Sequence, residues 1–254
     1  MKFEIVTLFP DYFEAVMTQS LLGRAVEKGL FDIAIINLRD HATDRHKTVD
    51  DTPFGGGGGM VTKIEPLDRC LKSLGYEPRS RGYVPDERQR IVLTSAAGKK
   101  LVQKTAIRYS LCDRLTIVCG HYLGIDERIT QLYEVDEISI GDYVLTGGEP
   151  AAAVIVDAVA RLIPKVLGNF ESAADDSHMD SILGAPCYTR PAEYEGLRVP
   201  EVLMSGDHKE IRDFRRRQAI LKCRQNRPDL LADAELSDEE IEYLKKLDEN
   251  SVVK

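Results

Sequence analysis

No stretch of this chain is apolar enough to span a membrane: the richest run, Ala151 to Ile163, is broken by Asp157 and Arg161 and falls short of the roughly 20 residues required. Cysteine is sparse, with five residues (Cys70, Cys112, Cys119, Cys187, Cys223), an odd number with no C-x-x-C. That pattern excludes a disulfide framework and a zinc ribbon, and it fits a reducing, cytoplasmic setting. The histidines are scattered. His178, between Asp176 and Asp180, comes nearest to metal-ligand spacing, but with no second histidine or cysteine nearby it reads as a solvated acidic loop, and no metal site is expected. The common phosphate motifs are missing too. Gly98 is followed by Lys99 and Lys100, but Leu93 stands where a Walker loop needs its first glycine, and the run Gly55 to Gly59 follows Pro53-Phe54 instead of a strand.

What is present supports a soluble, globular α/β protein. A length of 254 residues with 43% hydrophobic content suffices for one large domain or two modest ones. The opening M-K-F-E-I-V-T-L-F-P contains Glu4 and Pro10 and no small-residue cleavage site, so it reads as a first strand and not as a signal peptide. Net charge is -8, yet unevenly spread: Asp207 to Arg227 holds eight Lys or Arg against three acids, and Asp229 to Glu242 holds seven acids and no base. A local basic face of that kind can bind phosphates whatever the total, although a solvated, salt-bridged helix face explains it equally well.

Lys2 to Phe9 and Asp32 to Leu38 read as strands around a helix from about Pro10 to Lys28, followed by a long irregular stretch from Arg39 to Met60. Ile91 to Thr94 and Leu115 to Cys119 are short apolar strands, with helical spacing in Gly98 to Tyr109 between them and a further helix from Glu149 to Ile163. Alternation of this kind implies a largely parallel sheet covered on both faces. From Lys165 to Pro191 the composition turns to small and polar residues, as in a linker or mobile lid. Asp207 with Glu210, and Ser237 with Glu240, then resemble capping boxes that open two helices of a small C-terminal domain, the first with Ile211, Phe214 and Leu221 inward, the second carrying Ile241, Leu244 and Leu247.

Two glycine-punctuated segments carry the functional signal: G-H-Y-L-G-I-D-E-R from Gly120 and S-I-G-D-Y-V-L-T-G-G-E from Ser139. Each lies at or just past a strand-like run, where a ligand would meet exposed backbone at the carboxyl end of a sheet. One such loop is an ordinary turn; two, each mixing glycines with carboxylates and a tyrosine, point to a site.

With these loops stand L-F-P at Leu8, D-R-H-K-T-V-D-D-T-P-F-G-G-G-G-G-M from Asp44, D-A-V-A-R-L-I-P from Asp157, Y-T-R-P at Tyr188 and V-L-M-S-G-D-H from Val202. Taken in order, they resemble the TrmD-type bacterial tRNA (guanine-N1)-methyltransferases of the SPOUT class over nearly the whole chain. The resemblance implies a homodimer that uses S-adenosylmethionine to methylate N1 of the guanosine 3′ of the anticodon (guanosine 37), with no DNA or membrane partner and with magnesium as an additional ion. It also implies a trefoil-knotted α/β domain over residues 1–166, an interdomain linker over 167–184 and a helical tRNA-binding domain over 185–254. Donor contacts would fall on Leu93, Thr94, Ser95, Gly120, Tyr122, Gly124, Ile140, Gly141, Asp142, Tyr143, Val144, Leu145, Gly147 and Gly148. The family pattern places the base at Asp176 and the stabilising cation at Arg161. Contacts to tRNA would come from His46, Lys47, Arg190, Arg215, Arg216, Arg217, Lys222 and Arg224.

The chemistry asks for those residue types independently. Guanine N1 carries a proton and the ring is a poor nucleophile, so methyl transfer needs a base at N1 and a cation or hydrogen-bond donor at O6. Some positions depart from the family pattern: Leu123 stands for a usual glutamate, Ser95-Ala96-Ala97-Gly98 for Ser-Pro-Gln-Gly, and Gly184 for a frequent aspartate. Leucine accepts no hydrogen bond, so guanine discrimination is where such a change would act. Another SPOUT-type RNA methyltransferase with a shifted target, or a catalytically weakened RNA-binding relative, are the competing readings.

Overall fold

The computed structural model describes residues 1–79, 83–84, 86–167, 177–179, 182–232 and 234–251. The chain divides into two compact units, Met1–Gly168 and Asn169–Lys254.

The first unit is built on a five-stranded parallel sheet of β1 (Lys2–Thr7), β2 (Asp32–Asn37), β5 (Gln89–Lys100), β6 (Arg114–Val118) and β7 (Val135–Ser139), in the order β2-β1-β6-β5-β7. Two-residue strands β3 (Asp50–Asp51) and β4 (Val61–Thr62) form a separate antiparallel pair. Side chains alternate across the sheet as the two-residue period of a strand requires. Phe3, Ile5, Val92, Leu115 and Ile117 pack on one face against α1 (Tyr12–Thr18), α2 (Ser20–Glu27), α4 (Gln103–Ser110) and α6 (Glu149–Ala160). Val6, Ile91, Leu93 and Val118 pack on the other face against α3 (Ile64–Ser73) and α5 (Arg128–Leu132). Glu4 shares that second face and is buried, with its carboxylate accepting from Lys2 Nζ at 2.7 Å and the Thr116 hydroxyl at 2.8 Å.

Several elements differ from the sequence expectation. The single helix from Pro10 to Lys28 is two, because Gln19 is extended and Ser20 is left-handed at φ 59, so the chain turns between α1 and α2. Gly98 to Lys100 are strand, not helix: after a register shift following Thr94, Lys99 pairs with Ile138 and Lys100 with Ser139, and α4 begins only at Gln103. The helix α3 was unforeseen, and α6 ends at Ala160, short of Ile163.

In the second unit, a hairpin of β8 (Glu193–Tyr194) and β9 (Leu197–Arg198) precedes α7 (His208–Asn226), α8 (Pro228–Ala232) and α9 (Asp238–Ser251). Asp207 caps α7 by accepting from the N–H groups of Lys209 (2.9 Å) and Glu210 (3.1 Å), but its own N–H goes to Ser205 Oγ, so the box is half-closed. The box at α9 is complete: Glu240 N–H donates to Ser237 Oγ at 3.3 Å and Ser237 N–H donates to Glu240 Oε2 at 2.8 Å. Ile211, Phe214 and Leu221 are only half-buried; the residues of α7 that turn fully inward are Ala219, Ile220 and Cys223. Among the described residues no helix is long and apolar enough to cross a membrane.

Candidate active site

Because β5, β6 and β7 are parallel neighbours, the irregular stretch of β5 after Thr94 and the segments leaving the carboxyl ends of β6 and β7 come together at one edge of the sheet. Those segments line one cavity of about 380 Å³. They are stitched together by backbone. Gly148 N–H donates to the Gly120 carbonyl at 2.7 Å, and His121 bridges Gly147 in antiparallel fashion. A Cβ at Gly148 would lie 2.0 Å from Thr94 Oγ1 and 2.7 Å from Gly120 N, so only glycine permits this approach. The end of the glycine run reaches the same rim: Leu123 N–H donates to the Met60 carbonyl at 3.0 Å, and Thr62 N–H to the Gly124 carbonyl at 3.0 Å. Tyr122 is left-handed at φ 56 and half-exposed, an unusual backbone state for a non-glycine residue that marks the loop as constrained.

Every position assigned to the donor lines this cavity except Asp142. The Asp142 carboxylate instead faces solvent, 84% exposed, and pairs with Lys100 Nζ at 2.7 Å. Cys119 is buried beneath the loops, where desolvation and the neighbouring Glu149 carboxylate push its thiol well above the ordinary range. Tyr122, Leu123, Tyr143, Val144 and Leu145 give the rim a partly exposed apolar character.

Comparison with known proteins decides the class. The family described as tRNA (Guanine-1)-methyltransferase TrmD matches residues 1–233. The chain belongs to this family. It is similar to the tRNA (guanine-N(1)-)-methyltransferase of Geotalea uraniireducens (strain Rf4), 50% identical over 247 residues that cover 97% of each chain. It is 48% identical to the Geobacter metallireducens protein of the same name, over 99% of each chain. With the Bacillus cereus (strain AH820) protein of that name the identity is 44%, over 98% of this chain and 99% of the relative.

Of the two residues expected to be catalytic, Arg161 directly follows α6, half-buried, with its N–H donating to the Asp157 carbonyl at 3.2 Å. Asp176 and its neighbour Asp175 lie outside the described residues, as do 168–174, 180 and 181 of the segment read as a lid. His178 is left-handed at φ 72 and donates its N–H to the Ile182 carbonyl at 2.8 Å. No group of three or more His, Cys, Asp or Glu among the described residues is placed to hold a metal ion.

The residues assigned to tRNA divide by environment. His46 and Lys47 sit in an exposed turn organised by Asp44, whose carboxylate accepts from the Thr48 hydroxyl and from the N–H groups of His46 and Thr48, which hold it below its usual range. Lys47 is ion-paired with Asp40 at 2.8 Å. In the second unit Arg190, Arg212, Arg215 and Arg216 line a groove of about 1000 Å³ together with Tyr188 and Met204. Arg217 is exposed and Lys222 half-buried. Two members of the cluster are committed to the fold: Arg216 Nε donates to Glu240 Oε1 at 2.7 Å and Arg224 Nη2 to the Leu247 carbonyl at 3.4 Å. The basic face is therefore narrower than the sequence suggests.

His121 and Glu149 were missed. His121 lines the cavity, and the buried Glu149 stands behind it. The available signals were an ionisable ring inside a glycine loop and a carboxylate directly after Gly147-Gly148.

Proposed function

We propose that the cavity beside the register shift of β5 and at the carboxyl ends of β6 and β7 is the S-adenosylmethionine site of a tRNA (guanine-N1)-methyltransferase acting on the guanosine 3′ of the anticodon. The observation that carries this reading is the convergence of the irregular stretch of β5 and two glycine-rich loops on one backbone-rich cavity in a chain that matches the TrmD family over residues 1–233. Backbone N–H and carbonyl groups along Leu93–Ser95, Gly120–Gly124 and Ile140–Leu145 suit an adenosyl group, whose ring edge offers both donors and acceptors. When bound, the donor supplies an electrophilic methyl group on a sulfonium centre.

The chain's residues must then make guanine N1 nucleophilic. Asp176 removes the N1 proton as the methyl group arrives, and the Arg161 guanidinium stabilises charge developing at O6. The homodimer accounts for the apolar rim at Tyr122, Leu123, Tyr143 and Val144, which a second copy would shield. Residues 185–254 serve as the tRNA-binding domain, with Arg190, Arg215 and Arg217 toward the phosphates, and magnesium is a further component of the reaction.

Single-turnover methylation of tRNA transcripts carrying guanine or adenine after the anticodon tests the target: only the guanine transcript should accept a methyl group. Asp176→Asn should leave donor affinity nearly intact and slow turnover by about 100-fold or more, within the range of acid-base groups. Asp175→Asn should do little; if it is the slow variant, the base is misassigned.

A further inference from the structure

We infer that His121 and Glu149 act as a positioning pair, clamping the Gly120–Gly124 loop to the start of α6 so that the donor cavity keeps its shape. The inference rests on that cavity being the donor site. Glu149 is the first residue of α6 and only 4% exposed. A carboxylate there is favoured by the helix dipole, but burial removes its water and makes hydrogen-bonding partners necessary. Among the described residues one hydrogen bond reaches it, the Thr7 hydroxyl donating to Oε1 at 2.7 Å, and His121 Nε2 lies at ion-pair distance, 3.5 Å from Oε2.

The arrangement joins three elements. Thr7 ends β1 and also accepts the Phe9 N–H at 2.9 Å, and the Phe9 ring packs on the His121 ring at a centroid distance of 4.9 Å. His121 is in turn bridged through its backbone to Gly147, so this one residue of the loop after β6 meets both Phe9, just past β1, and the entry to α6. Its other nitrogen, Nδ1, is buried and meets no hydrogen-bond partner among the described residues. Space-filling alone would be served better by an apolar ring, because a buried unpartnered nitrogen is costly. The use of histidine therefore lies in the Nε2 to Glu149 contact. The remaining ionisable neighbours are Cys119, which faces Glu149, and Tyr122, whose ring lies 4.9 Å from His121.

The test is calorimetric binding of S-adenosylmethionine to the full-length dimer, with steady-state kinetics alongside. Glu149→Gln and His121→Phe should each raise the donor Kd about tenfold, the scale of losing one close partly buried contact to a charged group. The donor KM should rise in parallel while kcat changes less than threefold. The double variant should be no weaker than either single one, because the pair acts as a unit. His121→Gln, which keeps an N–H able to reach Glu149, should recover most of the affinity, and it replaces His121→Phe should that variant not fold. Unchanged affinity in the single variants, additive losses, or a main effect on kcat would each overturn the proposal. Gly148→Val separates the two readings: if it too binds normally, the donor lies elsewhere, whereas if it fails to bind while Glu149→Gln binds normally, only the clamp is wrong.

Discussion

The Thr94 hydroxyl accepts the Gly120 N–H at 3.0 Å and donates to the Val118 carbonyl at 3.2 Å, locking β5, where its register shifts, to the end of β6 and the loop after it. Thr94 and Gly120 both line the cavity proposed for the donor, and Thr94 is buried. Thr94→Val keeps the shape but leaves a buried N–H without its partner. It should cost roughly 2 kcal/mol in urea unfolding and weaken donor binding, both from the same lost bonds. Unchanged stability would mean that water or the neighbouring backbone takes over the lost contacts.

Gly141→Val should abolish donor binding. A Cβ at Gly141 would lie 2.3 Å from the Tyr143 ring, so the larger side chain displaces a residue of the cavity wall. Near-normal affinity by calorimetry would remove this loop from the donor site.

The basic helix makes a prediction with an internal contrast. Arg215→Ala with Arg217→Ala should weaken tRNA binding and flatten its salt dependence by about one unit of slope per lost phosphate contact. Arg216→Ala should instead lower the melting temperature and leave the slope unchanged, because Arg216 serves Glu240 and the Glu235 carbonyl. Equal slope changes in both variants would show that the ion pair opens when tRNA binds.

Glu240 gives the second unit an acid-sensitive joint. Burial raises its pKa, but the Arg216 ion pair and the Ser237 N–H outweigh that, and the carboxyl group sits below its usual value. A depressed carboxylate contributes stability that is fully present above the unfolded pKa, about 4.3 for Glu, and is lost as pH falls through the lower folded value. Acid titration followed by circular dichroism should therefore show α9 loosening below about pH 4, with Glu240→Gln removing that transition.

Much of this organisation was legible in the sequence, and the gaps share a cause. The strands show because Phe3, Ile5, Leu115 and Ile117 repeat with the period of a sheet. The glycine loops show because close backbone approach demands glycine. The break at Ser20 does not, since only tertiary packing selects a left-handed serine over a continuous helix. Ile64, Leu67, Cys70 and Leu71 do carry a helical period, but Pro66 in the first turn obscures it. Asp142 shares its loop with true wall residues, and only the fold reveals that its side chain turns away to Lys100. Glu149 and His121 are 28 residues apart, with no local pattern to link them.

The bond from Thr7 to Glu149 spans 142 positions. During synthesis at about 5 to 20 residues per second, roughly 7 to 30 seconds separate the emergence of the first strand from that of its anchor. Its neighbour β2 follows soon after, but the edge that will receive β6 stays unpaired until residue 118 has left the ribosome, with Phe3, Ile5 and Val6 still uncovered. The nascent first strand is therefore the stretch of this protein most in need of a chaperone, although Phe3, Ile5 and Val6 are among the most buried residues of the finished molecule.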